Sequence, residues 1–442
     1  MPGRLDFDVD FGPNARRRDD AAPMRLLVVG DFSGTSGEQR GTFGGRATHR
    51  IDVDTFDAVM RRIGPRVALA DVEIRFEQVD DFHPDRLYAR LDRFKRLRDT
   101  RATTPPVPGG DQLARLLGTS PTPPAAAASG IDALIRDAVA PHVVKDTSAA
   151  TVAHRQAVDG AIAEEMRGLL HAPAFQALEA AWRGVRWLVT SLELDDSLEV
   201  HLLDATRDEL LADIVGSGGD LAKTGLHEIA VNRPRASVDG RRWTALVGLF
   251  RFGASTADVG LLAALGVVAA RGGAAFLGDA DPRLGLDPAG VPAEWTALRR
   301  TATARSIAMA APRVLLRMPY GRTSDPIEAF GFEEFDAAPK TEQLLWASAS
   351  LATALVVGRA FLARGWEMEP GDERDIDDLP AYVFEHDGER RLQPCAEVVL
   401  SERNVDAFVE AGLIPIAARL DRNGVVVVRF QSLADPPAPL AW

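Results

Sequence analysis

One cysteine, Cys395, occurs in 442 residues. No intramolecular disulfide can form, and the flanking Gln393-Pro394 and Ala396-Glu397-Val398 bring no histidine beside it. It therefore reads as a structural residue rather than a nucleophile. Long apolar runs are also missing. The longest, around Val259 to Ala270, is broken by Gly260 and Gly266 and is too short to span a bilayer. The opening Met1-Pro-Gly-Arg-Leu-Asp-Phe-Asp lacks the apolar core of a signal peptide, so a cytoplasmic protein with no direct membrane insertion is expected. Positive charge is in deficit. Lys and Arg number 51 against 64 Asp and Glu, a net charge of -13, which argues against nucleic acid as a partner. Neither an HExxH nor a paired CxxC motif occurs, and His154, His171, His201 and His227 have no metal-ligand spacing. No cofactor and no metal are expected.

What the chain does have is 46% hydrophobic residues, enough to bury large cores. Its organising stretch is Met24-Arg-Leu-Leu-Val-Val-Gly-Asp-Phe-Ser-Gly34, a buried strand that ends in a Gly-containing turn. A strand entering such a loop can mark a phosphate site. The loop, however, has no Lys followed by Ser or Thr, and no helical period follows it. Asp52 stands where a ribose-binding acid would, without the helix of a dinucleotide fold. A tight structural turn is the better reading, and a nucleotide site between Gly30 and Gly37 is the lesser one.

Ahead of this strand, Leu5-Asp-Phe-Asp-Val-Asp-Phe11 alternates apolar and acidic residues, the pattern of a half-buried strand. Leu5, Phe7, Val9 and Phe11 share one face. The stretch is set off by Gly12, Pro13 and the charged run from Arg16, so it needs a partner sheet, either its own or a neighbouring subunit's. Downstream, Thr55 to Ile63 reads as a helix ended by Gly64-Pro65, and Val72 to Phe76 as a strand. Asp81 is a candidate N-cap for one helix carrying Leu87, Leu91, Phe94 and Leu97 at i, i+4, i+7 and i+10. Thr103 to Gly130 is a Pro/Ala-rich linker by composition. Ile131, Leu134, Ile135 and Val139 then line one face of a short amphipathic helix, fit for a partner groove or for packing on its own domain.

Helical period returns at Ile162, Met166, Leu169 and Leu170, and runs on through Phe175, Leu178, Trp182, Val185, Val189 and Leu192. Strands are expected at Ser197 to Asp204, Trp243 to Phe250 and Gly273 to Gly278. Helices are expected at Arg207 to Ile214 and Val259 to Ala270, and Asn423-Gly424 reads as the turn of a terminal hairpin. Arg313, Arg317, Arg322, Glu333 and Glu334 have no nucleophile beside them, so structural ion pairs are expected rather than acid/base chemistry.

Several ordered blocks carry a family resemblance. Leu26 to Gly34, Arg50 to Asp57, Val59 to Val67 and Phe76 to Pro84 resemble the small contractile-sheath subunit of type VI secretion systems, the TssB or VipA family. Leu169-Leu-His-Ala-Pro-Ala-Phe-Gln-Ala-Leu-Glu-Ala-Ala-Trp-Arg-Gly184, Ala311 to Gly321, Phe330 to Glu334, Leu344 to Ala349 and Leu400 to Ile416 resemble the large subunit, TssC or VipB. The resemblance implies an α/β fold in three regions: a small sheath domain with an N-terminal exchange strand (1–103), a flexible linker with a short amphipathic helix (104–150), and a larger mixed α/β sheath core (151–442). It also implies a non-enzymatic fusion of the two subunits, lacking the large subunit's C-terminal segment. Expected partners are other sheath subunits or copies of the chain itself, an inner tube protein, a baseplate, and a ClpV-type ATPase at the 131–139 helix. The alternative is a cap, adaptor or regulatory protein that does not polymerise.

Overall fold

The computed structural model describes residues 22–35, 41–69, 72–102, 148–237, 240–287, 290–419 and 421–441. The organising stretch forms strand β1, Met24–Gly30, buried on both faces apart from Arg25. The first region adds β2 (His49–Ile51), β3 (Arg66–Leu69) and β4 (Val72–Arg75), with helices α1 (Phe56–Ile63), α2 (Pro84–Arg90) and α3 (Lys95–Ala102). Two long helices follow, α4 (Ser148–Leu170) and α5 (Pro173–Thr190). The alternating core comes next: β5 (Leu198–Asp204), α6 (Arg207–Gly216), β6 (Ala245–Phe252), α7 (Thr256–Gly272), β7 (Ala275–Ala280) and β8 (Ile307–Ala311). The last part holds β9 (Val314–Leu315), β10 (Trp346–Ala347), α8 (Ala349–Arg364), β11 (Asp375–Asp377), β12 (Tyr382–His386), β13 (Glu389–Gln393), α9 (Glu402–Glu410), β14 (Leu413–Ala418) and β15 (Gly424–Val427).

Nine of these strands make one sheet in the order β11-β15-β14-β8-β7-β6-β1-β5-β2. From β14 to β5 the neighbours are parallel, while β2, β15 and β11 join antiparallel. This is a doubly wound arrangement. The chain starts in the interior at β1, places β5 on one side, then crosses to β6 on the other. Both faces are covered, as parallel strands require. One core packs α1, α5 and α8 on the sheet through Trp182, Leu351 and Leu355. The opposite core holds α7 with Phe252, Phe276 and Phe408.

The 1–103 block therefore does not close on its own. β1 lies between β5 and β6, and β2 pairs with β5, so both take all their neighbours in the large sheet from residues beyond 197. Side chains bind the same seam. Arg25 meets Glu199 at 2.9 Å, and Arg101 meets Asp159 at 2.5 Å. The Trp182 indole N–H donates to the Phe32 carbonyl at 2.8 Å, with the Phe32 and Phe56 rings edge-on to it at 5.5 and 5.8 Å.

Local details refine the sequence reading. The single helix expected after Pro84 is broken. Leu91 is extended (φ -80, ψ 131), and a short 3₁₀ turn, Asp92–Phe94, precedes α3. The break lets Leu91 and Phe94 both stay buried, at 6% and 0% exposure. Asp81 is not the cap of α2. Its carboxylate accepts from the Glu77 N–H at 2.7 Å, and His83 caps α2 by accepting from the Asp85 N–H at 3.2 Å. A hairpin does form here, β14 to β15, but residues 419–423 connect the strands and Gly424 is already the first residue of β15. Gly184 is needed because α5 crosses α8 closely. A Cβ there would stand 2.6 Å from the Leu351 side chain.

Two outcomes follow. Proteolytic cleavage between Pro105 and Pro124 should leave both fragments co-eluting on gel filtration, because β1 and β2 are held by main-chain pairing; separate elution would contradict this. Trp182→Ala, which removes a wholly buried ring, should cost about 3–5 kcal/mol in chemical denaturation, and a loss well under about 1 kcal/mol would contradict it.

Candidate functional site: a buried ion network, a tight turn and an exposed β-ribbon

The motif residues of the second region converge. His171 follows α4, Glu179 and Arg183 lie on α5, and Arg317, Tyr320 and Glu334 come from the 311–334 segment. Arg317 bonds Glu334 at 2.8 Å and Glu179 at 3.1 Å. Arg183 reaches Glu179 at 2.7 Å and the Tyr320 hydroxyl at 3.0 Å. Glu334 also accepts from the Tyr320 N–H at 2.8 Å and lies 3.3 Å from His171 Nε2. Glu179 and Glu334 are 0% and 2% exposed. Burial by itself would raise the Glu334 carboxyl, yet Arg317, with hydrogen bonds from His171 and the Tyr320 N–H, brings it to about 2. Burial pushes Tyr320 up to about 12. The charges are matched and bonded to one another, although Glu179 Oε2 is buried without a hydrogen bond. The other residues of the expected cluster lie apart. Arg313 pairs with Glu397 at 2.8 Å, and the Arg322 N–H donates to Glu333 at 3.2 Å.

The Gly30–Gly37 turn is described as far as Thr35, and the amides of Phe32, Ser33 and Gly34 are already engaged. The Phe32 and Ser33 N–H groups donate to Asp204 Oδ1 at 2.8 and 3.0 Å, and the Gly34 N–H to Asp31 Oδ1 at 2.9 Å. A phosphate would need those donors. Gly34 takes φ +63 and a Cβ on it would strike the Arg66 carbonyl at 2.1 Å, so packing against β3 accounts for the glycine. Cys395 is 3% exposed, and burial pushes its thiol up, away from the reactive thiolate.

The partner-binding residues expected from the sequence, Leu5, Phe7, Val9, Phe11, Ile131, Leu134, Ile135 and Val139, lie outside the described residues. The sequence reading missed an element that could receive a strand. β12 and β13 form a separate antiparallel ribbon, and among the described residues neither outer edge pairs with another strand. Its turn is Asp387-Gly388, with φ 54 and 77, the left-handed pair of a two-residue hairpin. That dipeptide between Tyr382-Val-Phe384 and Leu392 was the available signal. Val383 and Leu392 face each other across the ribbon and are 46% and 59% exposed. The large sheet's own edges, β2 and β11, are only three residues each, which limits what they can accept.

Among the described residues no helix is long and apolar enough to cross a membrane, and no cluster of His, Cys, Asp and Glu could hold a metal ion.

Two family models match the chain. Residues 153–288 and 291–434 match VipB, described as EvpB/VC_A0108, tail sheath N-terminal domain. Residues 4–104 match the family described as type VI secretion system, VipA, VC_A0107 or Hcp2. The chain is similar to the type VI secretion system sheath protein TssC1 of Pseudomonas aeruginosa, with 28% identity over 305 residues, 63% of this chain and 60% of that protein. It is also similar to the sheath protein TssB1 of the same organism, with 30% identity over 126 residues, 26% of this chain and 66% of that protein. The chain thus spans about three fifths of the one relative and about two thirds of the other. A chain of the anti-feeding prophage baseplate overlays 97% of this chain and 70% of its own length at 12% identity. Its TM-score of 0.35 is too low to carry an argument.

Glu334 sets a pH dependence. Its folded value of about 2 lies below the ordinary 4.5, so the stability it supplies is complete above about pH 4.5 and is lost as pH falls through about 2. That stability is on the order of 3 kcal/mol. Glu334→Gln should flatten the acid limb of a stability–pH profile, and an unchanged limb would contradict this. Arg317→Met, which takes the guanidinium from the buried Glu334 and leaves Glu179 with Arg183 alone, should cost roughly 3–5 kcal/mol in denaturant unfolding.

Proposed function

This chain belongs to the VipB tail sheath family and carries a VipA-family segment ahead of its VipB region, and on that premise we propose that it is a fused sheath subunit of a type VI secretion apparatus. The observation that carries the proposal is the shared sheet. The VipA-like block supplies β1 and β2 to a sheet whose other strands come from the VipB-like block. Fusion fixes the two parts at one-to-one stoichiometry and raises their effective concentration. The three-region division at 103 and 150 belongs to this reading as a division of sequence, with regions one and three sharing a fold.

In this reading copies of the chain assemble with one another or with other sheath subunits around an inner tube, on a baseplate, in the cytoplasm. The role is mechanical rather than enzymatic. Leu5, Phe7, Val9 and Phe11 of one copy form an added strand, and the β12–β13 ribbon of another copy is the receiving edge. Main-chain hydrogen bonds would supply affinity, while alternate side chains meet the exposed Val383–Leu392 pair. The helix with Ile131, Leu134, Ile135 and Val139 is assigned to a partner groove, with a ClpV-type ATPase as the partner.

Electron microscopy of the purified chain tests assembly. Helical tubes or rings are expected, whereas small particles alone would favour the cap or adaptor role. Val9→Pro removes a ladder donor and a packed side chain together. It should abolish assembly and leave the monomer's melting temperature within about 2 °C of the parent, since on the exchange reading Val9 packs only between copies and its loss within one copy costs under about 0.5 kcal/mol. Normal assembly by the variant, or loss of its monomer fold, would rule out strand exchange.

A further inference from the structure

Asp279 stands at the carboxyl end of β7, 3% exposed, and its Oδ1 has no hydrogen-bond partner. Its register partner on β6 is Arg251, whose Nε is also buried without an acceptor. Arg251 turns instead to Glu397, donating from Nη2 at 2.6 Å. Glu397 takes two further bonds from Arg313, at 3.0 and 2.8 Å. Two guanidiniums thus face two carboxylates, and both bind the same one.

Glu397 lies just beyond β13, where the chain leaves the ribbon and returns to the body of the fold. There the Leu315 N–H donates to the Cys395 carbonyl at 2.7 Å, and the Glu397 N–H to the Arg313 carbonyl at 2.9 Å. The double-arginine contact is the charged part of this anchor. A buried donor and a buried acceptor left unbonded as register partners cost free energy that one rearrangement would recover.

We propose that Asp279 is a proton-operated switch at the base of the β12–β13 ribbon. With Asp279 neutral, Arg251 stays on Glu397 and the ribbon is clamped by two arginines. With Asp279 ionised, Arg251 swings its Nε and Nη2 edge from Glu397 to the Asp279 carboxylate, and Arg313 holds Glu397 alone. The groups around Asp279 are Arg251 from β6, Arg313 from the segment after β8, Glu397 from the segment after β13, and Ser348, the N-cap residue of α8. Asp281, on the same chain, acts on Arg251. Burial outweighs the pull of the two arginines and pushes Asp279 up to about 7, which places the switch in the neutral range. An acid raised in the fold above its ordinary 3.8 lowers the stability of the whole chain as pH climbs between those values; the loosening of the anchor at higher pH is the consequence of Arg251 leaving Glu397. Any effect on strand addition rests on the sheath reading; the switch itself does not.

Hydrogen–deuterium exchange on the full chain tests it, at pH 6 and pH 8 with intrinsic rates corrected. Protection of peptides covering 382–393 should fall roughly tenfold between the two, while peptides from β1 and β6 hold steady. Asp279→Asn should keep the high protection at both pH values, and Glu397→Gln should give low protection at both. Equal ribbon protection in the parent at pH 6 and pH 8, or a parent-like pH dependence in Asp279→Asn, would overturn the proposal. If Asp279→Asn does not fold, the parent decides it by carboxyl-carbon NMR. A midpoint near 7 for Asp279 supports the switch, and one below 5 overturns it. A working switch in a chain that never assembles would count against the sheath role alone.

Discussion

Main-chain pairing of β1 with β5 on one side and β6 on the other is the constraint on which the fold depends. A strand that far inside a parallel sheet cannot leave its N–H and C=O groups unmet. Its partners lie about 170 and 220 residues further along the chain, at Met24↔Leu198 and Leu26↔Ala245. The described neighbours of β1 in the first block are placed by that insertion. The turn after β1 reaches Asp204 at the end of β5 and the indole of Trp182 on α5, while β2 closes the sheet beyond β5. The VipA-like block is therefore a set of strands and helices completed by the VipB-like block rather than a module tethered to it.

The ion network around Arg317 does a different job. Apolar packing is non-directional, whereas bonded charges are satisfied in few arrangements. Arg317, caught between Glu179 and Glu334, with Arg183 on the Tyr320 hydroxyl, is satisfied in one. Removing one member strands a charge in a dry interior, and that penalty makes the arrangement specific even where its net stabilisation is modest. Glu397, with its two arginines, repeats the design nearer the surface, with Asp279 Oδ1 left unbonded beside it as Glu179 Oε2 is in the first cluster. The two clusters divide the candidate chemistry of the arginine-rich segment between a locked structural site and a site poised near neutrality.

Much of this was legible from local pattern. The buried run at Met24 to Gly30, the helical period from Ile162 to Leu192 and the β-rich segment after Asn423-Gly424 appear where period and turn chemistry place them. The helix after Pro84 was misjudged because Leu87, Leu91, Phe94 and Leu97 satisfy a helical spacing that the backbone interrupts at Leu91. The spacing survives there because a 3₁₀ turn reorients the chain toward the same core. The β12–β13 ribbon went unread although Asp387-Gly388 announces it. Its flanking Glu, Arg and His dilute the alternation on which a strand assignment rests.

By itself the sequence determined the alternation of strands and helices, the absence of disulfide and metal motifs, and the blocks that resemble two sheath subunits. These are properties of short windows, governed by period, capping and composition. Tertiary structure alone decided that β1 and β2 enter a sheet built by the later block, that Glu179, Arg317 and Glu334 meet, and that Arg251 lies beside Asp279 with neither bonded to the other. Those outcomes depend on strand order, and strand order is set by which distant segments bury each other's faces. Single windows carry no record of that choice.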